Sequence, residues 1–333
     1  MDGLFSIPVL SFLLIPTVSS YSTSLNLLFF YITWSTLVLS HPPIKVELVG
    51  TAAVRVIFYL APSILFFLFD VLLPSAAIVL KAQGKAGLPS GSRKRKNGKR
   101  AFKIAGWGVF NLFLSMAVQW ALEYVLTKGI GVRSALKVST TLPMPWGIAK
   151  DLLKGMVTRE VLQYVIHRYV LHSNSFIGRY HQSWYHSLKS PSPLTAHYDH
   201  PLSYLLSTFI PTYGPAAIFR FHLLTYLIYL SLVSVEETFA YSGYSTMPTN
   251  FFLGGIARRI EMHISSDGEG NFGPWGILDW ICGTAVGDTI EDDIREEFEE
   301  ADIDEKMYRM MEKSKKKTRA AAAKGKTRRR RNS

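Results

Sequence analysis

The sequence predicts an all-α protein: several membrane-spanning helices carrying a histidine-rich helical cap on their cytosolic side. Three observations predict it. The chain of 333 residues is 48% hydrophobic, and its apolar residues gather at about 4–19, 24–40, 49–80, 104–126, 202–219 and 221–243. Its positive charge is not spread out: residues 81–103 hold nine Lys/Arg and no acid, and 313–333 hold eleven and no acid, while acids outnumber bases elsewhere. Of nine histidines, eight fall between 167 and 263, and four of them within residues 181–200.

Taken in order, residues 1–80 form a hydrophobic N-terminal region. Met1-Asp2-Gly3 lacks the positive start of a secretory signal, so the first apolar stretch is expected to stay. The stretch 49–80 is long enough for a tilted span or a bent pair, with Pro62 and Pro74 as kink points. Asp70 within it is an intramembrane acid, open to a functional role or to a place at the end of a bent span. Residues 81–103 read as a basic Gly/Ser/Lys-rich loop without apolar period, placed in the cytosol by its charge. Residues 104–126, with Glu123 as their single acid, exceed the ~20 apolar residues that cross a bilayer. They open a membrane domain expected over 104–285.

A helix is predicted over 151–172, where Leu153, Val157, Glu160, Tyr164, His167 and Leu171 recur at helical spacing. A histidine-rich segment follows, then a second hydrophobic region at 202–243 broken by Pro211, Gly214 and Pro215. Residues 286–312 form an acidic segment, and 313–333 a disordered polybasic tail. Attached to apolar spans, that tail is expected to meet anionic lipid headgroups, and no nucleic-acid partner is expected.

With Cys282 as the single cysteine, neither an intrachain disulfide nor a thiolate cluster is possible. Neutral imidazole, by contrast, ligates iron, zinc and copper. His41 and His222 read as a loop residue and a membrane-segment residue with a local partner. The other seven, His167, His172, His181, His186, His197, His200 and His263, read as a metal centre. One feature complicates their geometry. His167 and His172 are five apart, which on a regular helix is ~140° of rotation, so they would reach two metals or approach one site from different angles. Glu160 shares a helix face with His167, either as a partner orienting its ring or as a surface acid.

At this point the sequence resembles the fatty acid hydroxylase/sterol desaturase superfamily, whose pattern is three ordered histidine boxes. "HRYVLH" matches the first through His167 and His172, and "HQSWYH" the second through His181 and His186. "SPSPLTAHYDHP" resembles the continuation through Ala196, Tyr198, His200 and Pro201, and "RIEMH" the third box through His263. "YSGY" at 241–244 and "NFGPWGILDWICGT" at 271–284 resemble later family segments. Together they cover about 110–285. The resemblance implies a membrane enzyme of the endoplasmic reticulum with a non-haem di-iron centre. Such enzymes use O2 to hydroxylate, desaturate or oxidise a fatty-acyl, sphingolipid or sterol substrate, with cytochrome b5 or an NAD(P)H reductase as electron donor.

The departures matter as well. Tyr185 replaces one histidine of the second box, Arg259 and Met262 two of the third, and Tyr241 stands where many members have histidine, so five of eight box positions remain. Besides a lipid oxidase, two readings therefore stay open: a member with a degraded metal site acting as a lipid-binding or regulatory membrane protein, and a mononuclear zinc hydrolase. The cap must in any case bring His167 and His172 to His263.

Overall fold

The computed structural model describes residues 20–89, 96–245 and 247–299. The apolar stretch 4–19, the acidic segment from 300 and the polybasic tail 313–333 lie outside the described residues. The described residues are helical, with no named strand among them. In chain order they form α1 (Ser20–Ser40), α2 (Pro43–Leu72), α3 (Pro74–Leu80), α4 (Lys96–Tyr124, continued by a π turn to Gly129) and α5 (Pro145–Ile166). Then follow α6 (Phe176–Trp184), α7 (Pro201–Ile218, with a π turn at Leu205–Phe209), α8 (Leu223–Ala240), α9 (Gly255–Ser265) and α10 (Ile277–Cys282). The basic stretch expected as a loop to 103 is helical from Lys96.

The starts are chemically marked. Proline opens α2, α3, α5 and α7, where its missing N–H has no helical partner to lose. The His222 side chain caps α8 by accepting from Leu224 N at 3.2 Å, the local role expected of it. The two prolines of the 49–80 stretch behave differently. At Pro74 the chain breaks, with Leu73 in a non-helical conformation. At Pro62 the helix runs on through a π turn at Val56–Leu60. A proline there removes the donor for the carbonyl four residues earlier. That carbonyl, Phe58 O, accepts instead from Thr238 Oγ1 at 3.0 Å, so α8 repairs the ladder of α2.

Among the described residues, three helices are long and apolar enough to cross a membrane: Pro43–Leu72, Lys99–Gly129 and Leu223–Ala240. Of their apolar windows, 28%, 33% and 61% are buried. Thus α8 is the central helix, while α2 and α4 turn Leu65, Leu72, Phe113 and Trp120 outward, as lipid-facing helices do. The main core packs Val46, Phe209, Tyr213, Phe221, Tyr226, Tyr229 and Val233 together. At Gly108 of α4 an added Cβ would stand 2.4 Å from Leu194 O, so only glycine lets the 192–200 segment lie against this helix. That contact seats the histidine-rich stretch on the membrane helices.

Several buried ionisable groups on and beside the spans are paired. Arg55 of α2 meets Glu237 of α8 at 2.5 Å, and Arg159 of α5 meets Glu236 at 2.8 Å. Asp70 meets Lys81 at 2.7 Å, with both side chains fully buried, and accepts from Tyr244 OH at 2.8 Å. Asp70 therefore ties the end of α2 to the turn after α3, rather than facing lipid.

Candidate metal centre

Five histidines converge where α5, α6 and α9 meet. His167 and His172 come from the end of α5, where the helix widens into a π turn over His167–Leu171 and His172 N bonds to His167 O at 3.1 Å. A π turn closes its hydrogen bond five residues back, so residue i+5 returns over residue i. The rings, which a regular helix would splay apart, stand 5.0 Å apart. α6 supplies His181, and a tight turn at Tyr185–Ser187 presents His186. α9 supplies His263, whose ring is 4.6 Å from that of His167 and 4.9 Å from that of His186. One ligand nitrogen from each of the five lies within 4.8 Å of all the others.

The rear nitrogens are anchored. Nδ1–H of His167 donates to Phe272 O at 3.0 Å, that of His181 to Asp199 Oδ2 at 2.6 Å, and that of His263 to Gly270 O at 2.5 Å. These bonds fix ring and tautomer, leaving each Nε2 as a bare lone pair. The Nε2 atoms of His167, His181 and His263 are buried without a protein partner among the described residues. A buried polar atom without a partner is costly, and three aimed at one point call for a cation. The Nε2 atoms of His172 and His186 face each other at 3.2 Å, a contact that one shared proton satisfies or that a metal ion held by both would replace. The donor set thus fits a transition metal.

Burial, then the charge of neighbouring imidazoles, drives His167, His172, His186 and His263 to the neutral form. His172 is lowered to about 4, His263 to about 3 and His186 to about 2, and His167 well below its usual value. At neutral pH their lone pairs are free for a metal.

A loop backs the cluster. Asp279 accepts from Phe272 N at 2.9 Å, Gly273 N at 2.7 Å and Thr284 Oγ1 at 2.7 Å, fixing the carbonyl that holds His167. Asn271 exchanges hydrogen bonds with Val286. Glu160 does not touch His167; it accepts from Trp275 N at 3.1 Å and so steadies the same loop. Gly268 closes the front at φ +88°, with space for no side chain: a Cβ would stand 2.3 Å from His172 Cε1.

Two of the seven sequence-selected histidines lie apart. His197 Nδ1 is 2.7 Å from Tyr204 OH, and its Nε2 is 3.3 Å from Glu237. His200 stacks on Tyr180 at 4.1 Å and accepts from Leu202 N at the start of α7. Asp199 was passed over in the sequence, although a carboxylate between two histidines was the available signal.

The departing residues take definite places. Tyr185 stacks on His181 at 5.0 Å, and its hydroxyl is 3.0 Å from Tyr241 OH. Burial raises Tyr241 to about 12 and Tyr185 well above its usual value, so both phenols stay protonated. Arg259 pairs with Asp293 at 2.5 Å, and Met262 is 38% exposed. A cavity of about 50 Å³ beside His167 and His263 is lined by Tyr185, Tyr241, Glu236 and Glu237.

Residues 152–284 match the family model described as "Fatty acid hydroxylase". Very-long-chain aldehyde decarbonylase GL1-8 of Oryza sativa subsp. indica is 32% identical over 171 residues, 49% of this chain and 60% of that protein. Very-long-chain aldehyde decarbonylase GL1-11 of Oryza sativa subsp. japonica is 30% identical over 171 residues, 49% of this chain and 61% of that protein. The match thus spans about three fifths of these curated relatives. No solved structure matches significantly.

Proposed function

We propose, on the premise that residues 152–284 are a fatty acid hydroxylase domain, that the chain is a membrane-bound, iron-dependent oxidoreductase acting with O2 on a long-chain lipid. The carrying observation is the set of five imidazoles whose ligand atoms fall within 4.8 Å, at the edge of membrane helices. Iron bound there supplies the activation of dioxygen needed to oxidise an aliphatic chain. His167, His172, His181, His186 and His263 hold it. Phe272 O, Asp199 and Gly270 O orient three of these rings. The cavity of about 50 Å³ beside them, lined by Tyr185, Tyr241, Glu236 and Glu237, has room for only a few waters next to the cluster.

The names of the rice relatives favour a very-long-chain aliphatic substrate over a sterol. The basic stretch 81–103 supports a cytosolic placement of the cluster. The endoplasmic reticulum membrane, and cytochrome b5 or an NAD(P)H reductase as electron donor, are carried by the family resemblance alone. The test is direct. Protein purified in mild detergent is loaded anaerobically with Fe(II), then given O2, a reductant and very-long-chain aldehyde or fatty-acyl lipid, and products are read by mass spectrometry. A product lost in His181→Ala is expected; loaded protein that oxidises none of these lipids refutes the reading.

A further inference from the structure

We infer that the histidine cluster holds one metal ion, and that the place of a second is filled by this chain's own tyrosines and arginine–glutamate pairs. The inference rests on the proposed function only for the identity of the ion.

Size is the first argument. With imidazole–metal bonds near ~2.1 Å, ligands on opposite sides of one ion stand about 4.2 Å apart. Two ions ~3.5–4 Å apart would spread their outer ligands to roughly 8 Å. The five histidine atoms all lie within 4.8 Å of one another, near the ~4.2 Å of one coordination sphere and far short of the roughly 8 Å of two. The rear nitrogens of His167, His181 and His263 are already bonded, so none of these bridges outward.

The groups beyond the cluster give the second argument, because each is already taken. Tyr185 lies directly behind His181, and its phenol oxygen is matched with that of Tyr241 at 3.0 Å. The Tyr185 ring stands 6.2 Å from that of His263 and 6.5 Å from that of His167, on the border of the sphere. Past it, Glu237 is claimed by Arg55 at 2.5 Å and approached by His197 at 3.3 Å. Glu236 is claimed by Arg159 at 2.8 Å and by Trp275 Nε1 at 3.2 Å. The cavity between these groups and the cluster holds only about 50 Å³. A second dication there would find its two carboxylates neutralised and two permanent guanidinium charges buried nearby, with little water to screen them. The arginines supply the positive charge that an ion would otherwise bring to Glu236 and Glu237.

The experiment is an anaerobic Fe(II) titration of full-length, tag-free protein in detergent, with bound metal counted by mass spectrometry against chain concentration. Saturation at one equivalent is expected, with a full-intensity isolated high-spin ferric resonance after oxidation. Tyr185→Phe and Tyr241→Phe should each keep one equivalent, and His263→Ala should lose it. Two equivalents, a spin-coupled silent centre, no bound ion, or metal loss in either Tyr→Phe variant overturns the inference. One bound ion without lipid oxidation leaves the count standing and overturns the proposed function alone.

Discussion

Gly268→Ala tests the cluster through its tightest contact. The added Cβ would stand 2.3 Å from His172 Cε1 and 2.7 Å from His186 Cε1, whereas carbon atoms rest ~3.5–4.0 Å apart. The two rings would have to withdraw by roughly 1 Å, against a tolerance of about 0.2 Å in metal–ligand distance. The backbone adds to this, since φ is +88° and an L side chain there costs about 1–2 kcal/mol. Overpacking adds about 1–3 kcal/mol, so stability should fall by ~2–5 kcal/mol. Metal affinity should fall at least ~100-fold, beyond the ~10–100-fold typical of losing a group that only orients a ligand. Gly131→Ala is the control: its φ is +75°, and nothing lies within 4 Å of the added atom. It should show the backbone penalty without the loss of metal. Chelator competition measures affinity, and thermal unfolding in detergent measures stability. Wild-type metal affinity in Gly268→Ala would mean that the histidines do not converge there as described.

Asp199→Ala removes the acceptor of His181 Nδ1–H and should weaken metal binding by about 10–100-fold in the same competition assay, with the helical content unchanged in circular dichroism. Lys81→Met leaves Asp70 buried without its cation and should cost ~3–5 kcal/mol in thermal unfolding; adding Asp70→Asn should recover much of it. The metal-free protein should be acid-sensitive. His263 is lowered from 6.5 to about 3, so below pH 6.5 the unfolded chain binds a proton that the folded chain refuses. Stability is therefore full above about 6.5 and falls as pH drops toward 3, by on the order of 1 kcal/mol per unit for this histidine. Unfolding midpoints that stay flat between pH 7 and 5 would contradict this, and bound metal should flatten the upper part of the profile by holding the rings deprotonated.

Local pattern made much of the molecule legible. Runs of apolar residues announce α2, α4 and α8, because a helix crossing lipid must be apolar along its length. Residues 145–166 form a helix where the spacing of Glu160 and Tyr164 indicated one, and both are buried. Yet Leu153 and Val157, assigned to the same face, are 66% and 48% exposed. In a membrane protein an apolar residue has two apolar destinations, core or lipid, and periodicity cannot choose between them.

The sequence by itself determined the helical class, the imidazole-rich chemistry and the order of the boxes, since these depend on residue type and short spacing. Only the tertiary structure decided which histidines meet. The five-residue gap between His167 and His172 splays two rings on a regular helix; the π turn, locked by packing, brings them together. His197 stands 16 residues from His181 and no less rich in promise, but it lies between Tyr204 and Glu237, because Arg55 from a distant span has fixed that carboxylate. Whether a buried imidazole faces a metal or an ion pair depends on charges that approach from other helices, and nothing in its own neighbourhood of sequence records them.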